Sequence, residues 1–113
     1  PLLSWLLLGR WRTPALETAL RQALDEVSPD VLRSRAALAL RIDARDALTR
    51  IRVPTLYLRA KHDRLMHPSA GDTILRGVAD ARLQAFDGPH LLLQTRGEAC
   101  AEAIAALASN VGR

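Results

Sequence analysis

The sequence predicts an α/β fold, and three observations carry that expectation. Two apolar, strand-like runs sit in the second half of the chain, at Thr55-Leu56-Tyr57-Leu58 and at Ala81 to Phe86. About 20 residues with a helix signal separate them, enough for a right-handed crossover between parallel neighbours. Everything before residue 50 reads as helix, so the strands follow a helical segment rather than alternating with one throughout.

The helical segment comes first. PLLSWLLLG (Pro1 to Gly9) is apolar but short, whereas a membrane span needs about 20 residues, so no span is expected. It also lacks the basic start and small-residue cleavage site of a signal peptide. The chain begins at Pro1 without an initiator Met, which suggests a processed or excised piece. Thr13 followed by Pro14 is a helix start, because a threonine hydroxyl can cap the first turn and proline suits its first position. Leu16, Leu20, Ala23, Leu24 and Val27 then recur on one helical face. Ser28-Pro29 repeats the start signal for a helix through Leu40, and Asp43 to Leu48 reads as a further helical turn.

The character changes at Val53. Pro54 suits strand entry, where its missing N–H is tolerated. The near-continuous apolar run after it suits a strand buried on both faces. A loop follows from Lys61 to His67, then a helix that Pro68 opens and Gly77 closes. In the second strand Leu83 points to one side of the pleat, and Arg82 and Gln84 to the other. Thr95 with Glu98 three residues on is a capping-box pattern for a final helix. Cys100, Ile104, Leu107 and Val111 are expected on its apolar face, with Cys100 a packed core thiol.

Composition narrows the function. The 113 residues are 49% hydrophobic and 25% charged, a globular balance that excludes a disordered linker. The net charge of +4 comes almost entirely from arginine, Lys61 being the single lysine. Those arginines are dispersed among acids, as in RIDARDALTRIR (Arg41 to Arg52), and no basic run carries interleaved aromatics. That pattern argues against nucleic acid as a partner. A single cysteine forms no internal disulfide and fits a reducing compartment, so a cytoplasmic location is expected.

Two residues stand out by position. Asp63 lies just past the carboxyl end of the first strand, and His90 just past that of the second. Parallel neighbouring strands are about 4.8 Å apart, so a carboxylate–imidazole hydrogen bond is within reach. Open parallel sheets place their sites at that edge. A carboxylate that fixes the tautomer of an imidazole lets it act as general base and then general acid. Each residue alone has an ordinary reading: an Asp after a strand is often a turn former, and a loop His is often a polar surface residue. His62, Asp63 and His67 fall within six residues, but adjacent side chains in an extended segment point apart, so no metal is expected there. No cofactor is expected either. Arg64 is expected to pair with Asp72 or Asp87.

The phrases IRVPTLYLRAKHD (Ile51 to Asp63) and ARLQAFDGPH (Ala81 to His90), each followed by a helix, resemble the C-terminal part of the α/β-hydrolase fold. The resemblance covers about residues 48 to 110. It implies that Asp63 is the acid and His90 the histidine of a Ser-His-Asp triad acting on ester or related acyl substrates. It divides the chain into a helical cap or lid segment (1–50) and a C-terminal β-α-β-α part of the core (51–113). Trp5 and Trp11 then either line an acyl pocket or form the core face of a cap helix.

The chain departs from that family at the nucleophile. The family carries it on a G-x-S-x-G elbow, and Ser4, Ser28, Ser34, Ser69 and Ser109 all lack flanking glycines. The oxyanion-hole glycines are missing too. The chain therefore supplies the acid and the histidine but no nucleophile, and is expected to be inactive alone. The alternative is a non-catalytic interaction domain that forms a homo-oligomer through the open edge of its first strand.

Overall fold

The computed structural model describes residues 2–111. Among them are seven α-helices and a two-stranded parallel sheet, a mixed α/β arrangement. The elements are α1 (Leu2–Leu8), a 3₁₀ turn (Gly9–Trp11), α2 (Pro14–Asp25), α3 (Pro29–Arg41), α4 (Arg45–Leu48), β1 (Thr55–Ala60), α5 (Ser69–Gly77), β2 (Ala81–Phe86), α6 (Leu92–Thr95) and α7 (Gly97–Val111).

The helix starts follow the expected chemistry. Thr13 Oγ1 accepts the Leu16 N–H and Ser28 Oγ accepts the Val31 N–H, with Pro14 and Pro29 opening α2 and α3. Asp43 accepts the backbone N–H of Arg45 and so holds the entry to α4. Among the described residues no helix is long and apolar enough to cross a membrane.

The strands pair in register from Thr55 opposite Ala81 to Ala60 opposite Phe86. Because side chains alternate along a strand, β1 offers two different faces. Leu56, Leu58 and Ala60 pack on a small core of Phe86, Leu92, Cys100 and Ala103, which brings α7 and α6 to that side. Tyr57 faces the other way, under α5, where Gly71 is in such close contact that a Cβ there would lie 2.5 Å from Tyr57 Cε1. The strand is thus covered on both faces, but every position is only half-buried. Among the described residues β2 is its one neighbour, so its outer edge is open.

Two expectations are corrected. Thr95 does not cap α7: its hydroxyl donates to Leu91 O and Leu92 O and closes α6, and α7 starts after Arg96, whose carbonyl accepts the Cys100 N–H. The buried face of α7 is Cys100 and Ala103, with Leu107 half-buried, while Ile104 and Val111 are exposed. Small residues let the helix approach the sheet closely and leave the larger side chains on its flank. As expected, α5 ends at Gly77, which does so without a positive φ. A Cβ on it would come within 2.7 Å of Leu48 Cβ, which makes it the contact point between α5 and α4.

Candidate active site

The parallel ladder does not stop with the strands. Lys61 N–H donates to Phe86 O at 2.9 Å, and His62 N–H donates to Gly88 O at 3.0 Å. The two loops therefore leave the sheet side by side. Asp63 is one residue beyond the last rung on its side, and His90 two residues beyond on the other. Pro89, fully buried, fixes the approach to His90.

The side chains meet across this junction. His90 Nδ1 lies 2.9 Å from Asp63 Oδ2 and 3.1 Å from Oδ1. A carboxylate only accepts, so Nδ1 carries the proton and the lone pair of the neutral ring is on Nε2. Asp63 is held in turn by its own loop, because Oδ1 accepts the backbone N–H of Leu65 and of Met66, each at 2.8 Å. This is a turn-forming aspartate that also bonds a histidine. Burial is the largest influence on its carboxyl and pushes it up. The N–H groups of Met66 and Leu65, together with the His90 ring, outweigh that and hold it below the usual carboxylate range.

A cleft of about 590 Å³ opens beside the pair. Residues Tyr57 through Lys61 line it in succession, so it runs along the open edge of β1, and Asp63, His67 and His90 line it further on. The arrangement can hold an oriented base, Nε2 of His90, next to a space large enough for a small molecule.

The three residues weighed as metal ligands turn to different partners. His62 Nε2 lies 2.7 Å from Asp87 Oδ1, Asp63 takes His90, and His67 Nδ1 lies 2.8 Å from Ser69 Oγ. They do not converge on a common point. Arg64 does not pair with Asp72 or Asp87. Its guanidinium stacks on the Trp5 ring at 4.6 Å, and Asp87 is engaged by Arg10 and His62 instead.

Trp5 and Trp11 belong to the segment that docks α1 on these loops. Trp11 meets the His62 ring at 5.3 Å between centroids and carries Arg10 at 4.4 Å on its face. Leu91 N–H donates to Leu7 O, Leu8 is fully buried, and Gly9 takes a positive φ of 53° where a Cβ would collide with Arg64. Neither tryptophan lines the cleft beside His90. Of the serines, Ser4 donates to Glu17, Ser28 caps α3, Ser69 bonds His67 and Ser109 donates to Ala105 O.

Arg59, Lys61 and His67 line the cleft, and the sequence pattern did not single them out for it. The available signal was an arginine inside an otherwise apolar strand, with a lysine two residues on. No protein-family model, no curated protein and no solved structure matches the chain.

Proposed function

We propose that this chain contributes the acid and the base of a serine hydrolase resembling the C-terminal part of an α/β-hydrolase, with ester or related acyl compounds as substrates. The observation that carries this reading is the Asp63–His90 pair at 2.9 Å, at the joined ends of two parallel strands, with Nε2 left as a base beside a cleft. In the assembled enzyme a serine from another segment attacks the acyl carbonyl, and His90 Nε2 takes its proton. The protonated ring then gives that proton to the departing alkoxide, which leaves as an alcohol. Water attacks the acyl-enzyme, again losing a proton to Nε2, and the collapse releases a carboxylic acid and restores the serine. Asp63 keeps the ring oriented and stabilises the imidazolium in both halves.

The chain alone should not turn over an activated ester beyond what a free imidazole achieves. Mixed with a nucleophile-bearing segment, it should support hydrolysis that a serine-directed phosphonate probe abolishes. Robust activity of the isolated chain, with the probe attached to one of its own serines, would overturn the assignment.

A second reading, a homo-oligomerising interaction domain, is favoured by a different observation. The chain exposes 8279 Å², against about 6,100 Å² expected for a folded monomer of 12.4 kDa. Every residue from 28 to 46 is exposed, including all of α3.

A further inference from the structure

The two histidines that line the cleft are set in opposite tautomers. His90 points Nδ1–H at a carboxylate and keeps its lone pair on Nε2. His67 does the reverse. Ser69 N–H donates to His67 Nδ1 at 3.2 Å, with Ser69 Oγ 2.8 Å from the same nitrogen. A nitrogen that accepts carries no proton, so the neutral His67 ring is a donor at Nε2. One cleft therefore holds a base and, separately, an imidazole donor.

Two cations line the same cleft. Arg59 Nη2 donates to Pro68 O at 2.7 Å, which holds the guanidinium beside the His67–Pro68 turn. Lys61 is exposed, and among the described residues neither cation has a carboxylate partner. The single lining carboxylate, Asp63, is engaged by His90, Leu65 and Met66. Two cations without a carboxylate partner and one imidazole donor thus line a space next to the base. Arg59 lies on the β1 face that Tyr57 occupies, and Lys61 follows in the turn just after the strand.

We propose that this cleft takes an acyl substrate that also carries an anionic oxygen group, a carboxylate or a phosphate, received by Arg59, Lys61 and the Nε2–H of His67. This rests on the hydrolytic reading of the same site. The charged end fixes the substrate along β1 and leaves its ester toward His90.

The test is a binding titration of the chain followed by NMR of its backbone and imidazole signals. The probes are monomethyl succinate, which has an ester and a carboxylate, inorganic phosphate, and the neutral dimethyl succinate. Either anion should shift the His67 ring and the Arg59–Lys61 amides, and the better of the two names the anionic group. The neutral diester should leave these signals in place. Lys61→Gln should weaken anion binding by up to about fivefold, as expected for one exposed charge. His67→Asn, which keeps an acceptor for the Ser69 N–H but has no distal ring donor, should weaken it by a similar factor. Equal binding of the neutral diester, or unchanged affinity in both variants, would overturn the proposal. In the assembled enzyme the two claims separate. Hydrolysis that prefers dimethyl to monomethyl succinate removes the anion site and keeps the hydrolase. Anion binding without serine-dependent turnover of any ester removes the hydrolase and keeps the anion site.

Discussion

Asp63 shows how much one side chain holds together. Its two oxygens accept from His90 Nδ1 and from two backbone N–H groups. In Asp63→Asn the remaining oxygen can still accept from Leu65 and Met66, but the new amide group faces His90 Nδ1 as a donor. The imidazole then keeps its proton on Nε2 and ceases to be a base, so if the proposed hydrolase forms its kcat should fall about 10⁴-fold, the loss seen when a triad acid becomes an amide. The same substitution tests the carboxyl in the chain alone. Its pKa is lowered on folding, so the unfolded chain binds the proton more readily. The resulting stability is fully present above the ordinary carboxylate pKa of about 3.9 and is lost as pH falls through the lowered folded value. Urea midpoints measured from pH 5 downward should therefore drop less steeply in Asp63→Asn than in the parent. An identical slope would show that this carboxyl does not link folding to pH. Asp63 and His90 were legible in the sequence because each ends an apolar run. The groups that hold Asp63 were not, since backbone N–H groups carry no residue signature. Nor was the stacking of Arg64 on Trp5, which needs α1 to be docked first.

At the scale of elements, the close approach of α5 to β1 depends on Gly71. An alanine at this third position of the helix would gain up to about 1 kcal/mol of intrinsic helix preference. Its Cβ would also lie 2.5 Å from Tyr57 Cε1 and 3.1 Å from Cδ1, against a half-buried ring on the strand. Overpacking of that kind costs about 1–3 kcal/mol, so the clash should win and Gly71→Ala should be destabilising by up to about 2 kcal/mol in urea unfolding. Tyr57→Leu added to Gly71→Ala should recover part of the loss, and strict additivity of the two would show that they do not meet. The strands and the starts of α2 and α3 were readable because hydroxyl-proline pairs and apolar runs are local signals. The start and facing of α7 were not. Thr95 and Glu98 have the spacing of a cap, but Leu92 and Cys100 both enter the Phe86 core. The backbone breaks between them at Arg96, and Thr95 finishes the earlier turn instead. Ala103 rather than Ile104 faces the strands because only a small side chain fits that close a contact.

For the whole molecule, the excess of surface is the dominant fact. The Cα radius of gyration is 15.9 Å, where a compact chain of 113 residues is expected near 13 Å. The accessible area exceeds that of a typical monomer by roughly 2,000 Å². Much of the uncovered area is apolar: Leu38, Leu40 and Ile42 on and after α3 are exposed, Leu40 at 89%, as are Ile104 and Val111 on α7. A helix of 13 residues with every residue exposed is marginal in water, and an open strand edge invites pairing. Two copies covering this excess would bury about 4,000 Å² in total, within the range of obligate dimers. The oligomerisation reading therefore makes a sharp claim: sedimentation velocity at micromolar concentration should show a dimer or larger species, with α3 amides protected from exchange. A monodisperse monomer whose α3 amides exchange at the rate of an unfolded peptide would exclude a second copy as the cover. That outcome would instead fit the hydrolase reading, in which the same surface is covered by the segment that brings the nucleophile. Adding that segment should then slow α3 exchange and bring about ester turnover together, because one docking event would cover α3 and complete the site beside His90.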